Sequence, residues 1–239
     1  MKAMLSTLIT AGAAIAAGGV TAYGAMRPGS QLFGNAIYRG ADDHQILLTY
    51  DDGPNERDTP RLLEVLAKHS ARATFFVIGQ YVKVLPNIVR EIASQGHIVA
   101  NHTFTHPSLF WASPRRVREE LDRCQKQIED AIGQTPAYFR PPFGARRPDV
   151  MRTARSMKLT PVLWTATCYD WRTTSAENVF GHAVRDIEKR SFGSVVLLHD
   201  GDHLAINADR SHTVGATEML LQKYGPQKYE FVGIDQIKR

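Results

Sequence analysis

Cysteine is nearly missing from this chain, with two in 239 residues. Two thiols give no disulfide framework. Cys124 falls on the apolar stripe of an amphipathic helix and Cys168 follows a strand, so both are expected to be free and buried; one bridge between them, or Cys168 as a ligand, are the alternatives. A charge run of one sign is also missing. The net charge of +5 is spread along the chain, and the densest basic run, Arg115-Arg116-Val117-Arg118, lies on a helix and reads as its solvated face. That argues against a nucleic-acid partner, although the mild excess suits an anionic cell-wall or membrane surface. There is no internal repeat, coiled coil or low-complexity tract. The G-x-S-x-G elbow, the P-loop and the dinucleotide fingerprint are absent too, which leaves serine hydrolase and nucleotide chemistry without support.

What remains is an ordinary globular composition, 43% apolar and 22% charged, long enough for one catalytic domain. Residues 1–26 stand apart: Lys2 is the only charge before Arg27, and an Ala/Gly/Thr/Leu stretch follows it. This is the pattern of a secretory signal, and its length also allows an uncleaved membrane anchor. Either places the rest outside the cytoplasm. Residues 27–43 read as a linker, and residues 44–239 as the domain.

Within the domain, short apolar runs alternate with helical patterns. Strands are expected at 46–50, 73–79, 97–100, 138–139, 161–164, 194–198 and 229–234. Thr59-Pro60 and Ser113-Pro114 read as helix starts, cap then proline; the second opens the longest helix, which Gly133 stops. Strand–helix alternation implies parallel strands with right-handed crossovers. About seven such units predict an α/β barrel, closed or nearly so, with an open doubly wound sheet as the alternative.

Chemistry-bearing residues follow the strands. Asp51-Asp52 ends the first, and Gly53-Pro54 turns the chain at once. One carboxylate can bind a metal while its neighbour serves as a base. Asn55, Glu56 and Asp58 leave open an ordinary acidic loop or an oxygen-only Ca²⁺ or Mg²⁺ site. His102 and His106, four apart, would face one way on a helical turn that Pro107 ends. Two imidazoles and a carboxylate favour a softer metal, with positions left for water and substrate. Arg140-Pro141-Pro142-Phe143-Gly144, Asp170-Trp171 and Leu197-Leu198-His199-Asp200 follow later strands. Phe110 and Trp111 follow the histidine pair on a loop, where exposed aromatics are not rare. His44, His69, His97, His182, His203 and His212 read as surface or packing residues, His203 being the one near His199.

These five segments, in this order, resemble polysaccharide deacetylases of the NodB-homology type (carbohydrate esterase family 4). The resemblance runs from about Gln45 to the C-terminus. It implies a distorted (β/α) barrel and hydrolysis of N-acetyl groups on an amino-sugar glycan such as peptidoglycan or a chitin-like chain. It implies that Asp52, His102 and His106 bind a divalent metal, zinc foremost, with Co²⁺, Ni²⁺ or Mn²⁺ as alternatives. Asp51 would be the general base, held by Arg140; His199 would be the general acid, oriented by Asp170. A backbone N–H near Phe143 would help stabilise the oxyanion, and Trp171 and Leu197 would wall the acetyl pocket. Two departures stand out: no aspartate precedes Asp170 in Trp164–Tyr169, and Phe143 stands where relatives often carry tyrosine. The rival activities are an O-acetyl esterase on xylan-type glycans, a deformylase or deacetylase of a lipid-linked sugar, and a non-catalytic sugar-binding module.

Overall fold

The computed structural model describes residue 19, residues 23–25 and residues 27–237. Most of the expected signal or anchor segment, 1–26, lies outside the described residues. Among the described residues, no helix is long and apolar enough to cross a membrane.

The central strand, β1 (Gln45–Gly53), is buried at every position but its first. On one side lie β2 (Ala73–Val77), β3 (Ile98–Asn101), β4 (Tyr138–Phe139) and β5 (Thr160–Pro161); on the other lie β7 (Ser194–His199) and β6 (Ala166–Thr167). All pairs are parallel. A short β8 (Glu230–Phe231) pairs with the first residues of β1. The helices are α1 (Thr59–Lys68), α2 (Gly79–Val84), α3 (Pro86–Ser94), α4 (Pro114–Ile132), α5 (Pro148–Ser156), α6 (Ala176–Glu188) and α7 (Ser211–Tyr224).

The seven-strand path curls into a half-barrel. One connection forces this. The run expected as a single strand at 161–164 is not one: β5 ends at Pro161 and β6 begins at Ala166, and between them Val162 donates its N–H to Phe139 on β4, Leu163 to Ile37, and Thr165 to Val195 on β7. The chain thus passes from one edge of the sheet to the other without a helix. Five extended residues reach at most about 18 Å, whereas seven strands laid flat span about 29 Å. The sheet therefore has to bend until its edges approach.

Alternation along β1 then sorts its side chains. Ile46, Leu48 and Tyr50 pack outward with Leu62, Leu63 and Leu66 of α1 and Leu220, Leu221 and Tyr224 of α7. Leu47 points inward, sharing the barrel floor with Phe76, Ala100, Val162 and Val195. Thr49 and Asp51 continue that inner column towards the C-terminal end.

The signals at the ends of α4 are present: Ser113 accepts from the Arg116 N–H at 3.2 Å, and Gly133 closes the helix at φ 69°. Thr59 is not a cap. Asp58 holds that position without a side-chain cap bond, while the Thr59 hydroxyl donates to Asp200 and accepts from the Asn55 N–H. Cys124 and Cys168 are both free and buried.

The stretch 27–43, read from sequence as a linker, lies against the domain. Ile37 bridges to Val162 and Arg39 to Ser194, so this segment reaches from beside the β5 edge to β7 on the far side of the sheet. It is also tied down by Arg146, which is 1% exposed. The Arg146 guanidinium donates to the carbonyls of Ala25, Arg27, Ser30 and Gly144 at 2.7–3.3 Å. Burial lowers its pKa to about 10, and it stays charged at neutral pH. We predict that Arg146→Ala costs about 2–3 kcal/mol, the scale of hydrogen bonds to a charged group. Chemical denaturation would read the loss, and proteolysis at 23–40 would quicken.

Candidate active site

The site forms where the strand tips leave regular geometry. Pairing of β1 with β2 slips between Asp51 and Gly53, and Asp52 takes a left-handed φ of 68°. On a regular strand the two carboxylates would point to opposite faces. The slip turns Asp52, and both carboxylates line one cleft of about 340 Å³. Thr103 (φ 69°), His106 (φ 56°), Phe143 (φ 58°) and Tyr169 (φ 53°) share this strained conformation, so five of the eight described non-glycine residues with positive φ sit at or beside the site.

His102 and His106 are not on the helical turn expected from their spacing; residues 102–106 form an irregular loop. Glu120 of α4 holds that loop from behind. Its buried carboxylate accepts from the Phe104 and Thr105 N–H groups and from the Thr105 hydroxyl, at 2.7–2.9 Å. The loop still brings the imidazoles together, with ring centroids 4.9 Å apart.

Two of the three donor separations suit a cation. His102 Nδ1 lies 2.8 Å from the Arg140 carbonyl. A carbonyl only accepts, so Nδ1 carries the proton and Nε2 keeps its lone pair. That Nε2 is 3.4 Å from Asp52 Oδ1, and His106 Nε2 is 3.2 Å from the same oxygen. Donors about 2.05 Å from a tetrahedral zinc are about 3.3 Å apart. Asp52 Oδ1 is buried without a hydrogen-bond partner, as a ligand atom aimed at a cation would be. Burial lowers His106 to a pKa of about 3, leaving it neutral. Burial alone would raise Asp52, but its contacts with His102 and His203 hold it well below the usual carboxylate range. The oxygen-only alternative fares poorly: Asp58 is engaged with Arg61 and the Arg210 N–H, and Asn55 with Ala208.

Asp51 and His199 are register partners on adjacent strands, β1 and β7. Asp51 accepts from Arg140 Nη1 at 2.7 Å, and the same nitrogen reaches Thr49 at 2.8 Å. Arg140 is fully buried, with its guanidinium 4.1 Å from the centre of the Phe76 ring. His199 Nδ1 lies 2.8 Å from Asp170 Oδ1, while Asp170 Oδ2 accepts the His199 N–H and the Thr213 hydroxyl. Burial would depress His199, but the Asp170 charge and hydrogen bond outweigh it and lift the imidazole to about 9.

Of the residues selected from sequence, Asp51, Asp52, His102, His106, Phe143, Trp171, Leu197 and His199 line the cleft. Arg140 and Asp170 stand behind it. Trp164, Asp202, His203 and Arg210 also line it and were not selected. For His203 a signal existed: it follows His199 by four residues, the spacing that singled out His102 and His106. Trp111 is 82% exposed, with Phe110 edge-on at 4.7 Å.

Two outcomes follow. Arg140→Ala leaves the Asp51 carboxylate buried without its cation and should cost about 3–5 kcal/mol in denaturant titrations. Asp170→Asn should lower the His199 titration by about 1–3 pH units, read by NMR of the imidazole. A raised imidazole pKa stabilises the fold below its unfolded value. The pair's contribution is therefore full between about pH 4 and 6.5 and fades as pH climbs through about 9. The stability gap between wild type and Asp170→Asn should narrow across that upper window.

Comparison with known proteins accords with this geometry. Residues 39–162 match the polysaccharide deacetylase family model. A chitooligosaccharide deacetylase of Rhizobium leguminosarum bv. trifolii is 38% identical over 162 residues, covering 68% of this chain and 74% of its own. A peptidoglycan-N-acetylglucosamine deacetylase of Bacillus cereus is 33% identical over 168 residues, covering 69% of this chain and 60% of its own. Among solved structures, a CE4-family pseudoenzyme from Bacillus anthracis superposes with a TM-score of 0.76 at 28% identity, covering 85% of this chain and 68% of that one. With its half-barrel and strand-tip cleft, this chain belongs to the polysaccharide deacetylase family.

Proposed function

We propose that this protein is a metal-dependent N-deacetylase of amino-sugar glycans, of the peptidoglycan or chitin-like type, acting outside the cytoplasm. One observation carries the reading. Two imidazole Nε2 atoms converge on a buried Asp52 oxygen beside an Arg140-held carboxylate and an Asp170-held imidazole. Asp52, His102 and His106 would hold the cation, with zinc favoured by the nitrogen donors and Co²⁺, Ni²⁺ or Mn²⁺ able to serve. When bound, the cation supplies Lewis acidity, polarising an amide carbonyl and easing ionisation of water.

The chain's own residues supply the proton transfers. Asp51 takes the proton of the attacking water, and Arg140 fixes the carboxylate for that task. His199, whose Nδ1 proton is committed to Asp170, presents Nε2 to the cleft. An imidazole pKa of about 9 keeps it protonated at neutral pH, the state needed to protonate a departing sugar amine. The backbone N–H near Phe143 is assigned to the oxyanion. Leu197 and Trp171 wall the acetyl methyl, and the exposed faces of Trp111, Phe143 and Trp171 are suited to sugar rings. The likeness to a pseudoenzyme gives substance to a non-catalytic sugar-binding module as rival; the presence of Asp51, Asp52, His102, His106 and His199 together supports turnover instead.

Acetate release from chitooligosaccharides, peptidoglycan and acetylxylan, before and after chelation and metal add-back, tests this. The amino-sugar substrates should release acetate, chelation should stop it and zinc should restore it. Asp51→Asn should lower kcat by about 10²–10⁴ yet keep its metal, whereas His102→Ala should lose both. Release from acetylxylan alone would point to an ester hydrolase. Equal zinc content in His102→Ala and wild type would overturn the ligand set.

A further inference from the structure

His203 belongs to none of the five segments, yet its ring enters the cleft. Donor atoms of Asp52, His106 and His203 all lie within 4.8 Å of one another. His203 Nδ1 is 3.6 Å from Asp52 Oδ2, and its ring is 4.4 Å from that of His106. Phe143 meets both rings edge-on, at 4.8 Å from His106 and 5.5 Å from His203.

The loop that carries His203 is built to approach Asp52. Gly201 sits against the β1 tip so closely that a Cβ there would fall 2.0 Å from the Asp52 carbonyl oxygen. Tyr81 donates to the Asp202 carbonyl at 3.0 Å. Arg210, itself buried, donates to the Gly201 carbonyl at 2.7 Å and to the Asp202 carboxylate at 2.8 Å. Farther along, Asn55 donates to the Ala208 carbonyl at 2.8 Å. The imidazole is therefore delivered by a loop pinned on both sides of it. An ordinary surface ion pair would explain the contact with Asp52. It would not explain a third ring packed on His106 inside the cleft.

We infer that His203 is a fourth protein donor to the cation site, so that this chain offers one carboxylate and three imidazoles. The inference rests on the metal-dependent reading above. His102 and His106 approach Asp52 through Oδ1, and His203 approaches through Oδ2. A third imidazole should favour Zn²⁺, Co²⁺ or Ni²⁺ over Mn²⁺. It also fills the position that a three-ligand catalytic site leaves open, so water and substrate would need expansion to five donors or displacement of His203.

Co²⁺ and Zn²⁺ binding to the full chain tests this, in wild type, His203→Ala, His203→Asp and His102→Ala. The readouts are the dissociation constant and the visible band of the Co²⁺ form, which reports donor number and type. In His203→Ala the band should change and the dissociation constant should rise by at least about 10–100-fold, the loss already seen for groups that only touch a ligand. His203→Asp, which keeps a donor, should recover part of the affinity. A weaker site with an unchanged band would put His203 outside the coordination sphere, and an unchanged affinity would remove it from the site; either result overturns the inference. If His203→Ala alone is silent while His102→Ala loses the metal, the deacetylase reading stands and only this inference falls. If wild type binds neither metal, both fall. The melting temperature of metal-free His203→Ala, compared with that of metal-free wild type, separates a folding defect from loss of a donor.

Discussion

The buried guanidinium of Arg140 is the joint on which the cleft depends. It reaches Asp51 and Thr49 on β1, stacks on Phe76 of β2, and donates to the Leu163 carbonyl at the crossover between the sheet edges. Its main chain serves as well, since its N–H binds the Asn101 carbonyl and its carbonyl fixes the His102 tautomer. One residue thereby orients both the carboxylate proposed as base and the imidazole proposed as ligand. The stability of such a buried pair is modest against a well-packed apolar alternative. Its value here is geometric, because it couples the end of β4 to β1, which are not neighbours in the sheet.

The two proton-transfer candidates show how sheet register does the work of positioning. Asp51 and His199 are 148 residues apart in sequence, yet parallel pairing of β1 with β7 places them side by side on the inner face. Each is then held by a partner of opposite charge from another segment. This arrangement separates fold from chemistry. The scaffold is an apolar floor of Leu47, Phe76 and Val195, and the reactive groups stand above it on the tips. A neighbour of the same fold described as a pseudoenzyme fits that separation, since changes at the tips need not disturb the floor.

Much of this was legible in the sequence, and the rest was hidden for physical reasons. The helix start at Ser113 and its stop at Gly133 are local signals, and they hold. Pairing partners are not local. Pro161 to Trp164 read as one strand because the run is apolar, but the N–H groups of Val162 and Leu163 go to two different segments and that of Thr165, next in line, to a third. Thr59 looked like a cap because residue type alone does not reveal that Asp200 would compete for its hydroxyl. The ten residues after Gln31 carry turn formers, which masked their bridges to Val162 and Ser194. His102 and His106 do lie together, though not on the helical turn expected from their spacing; the loop and Glu120 accomplish the meeting instead. His203 was passed over because its partner, Asp52, lies in another segment.

The left-handed residues at the rim carry a further consequence, for engineering. A non-glycine residue in that region costs roughly 1–3 kcal/mol, and glycine would sit there at ease. A screen for thermal tolerance would therefore be drawn to Asp52, Thr103, His106, Phe143 and Tyr169, the positions where replacement relieves most backbone strain. Gains won there would alter residues that line the cleft, or the turn beside Asp170. Hardening this protein without blunting it means leaving the rim alone and working on the outer helices.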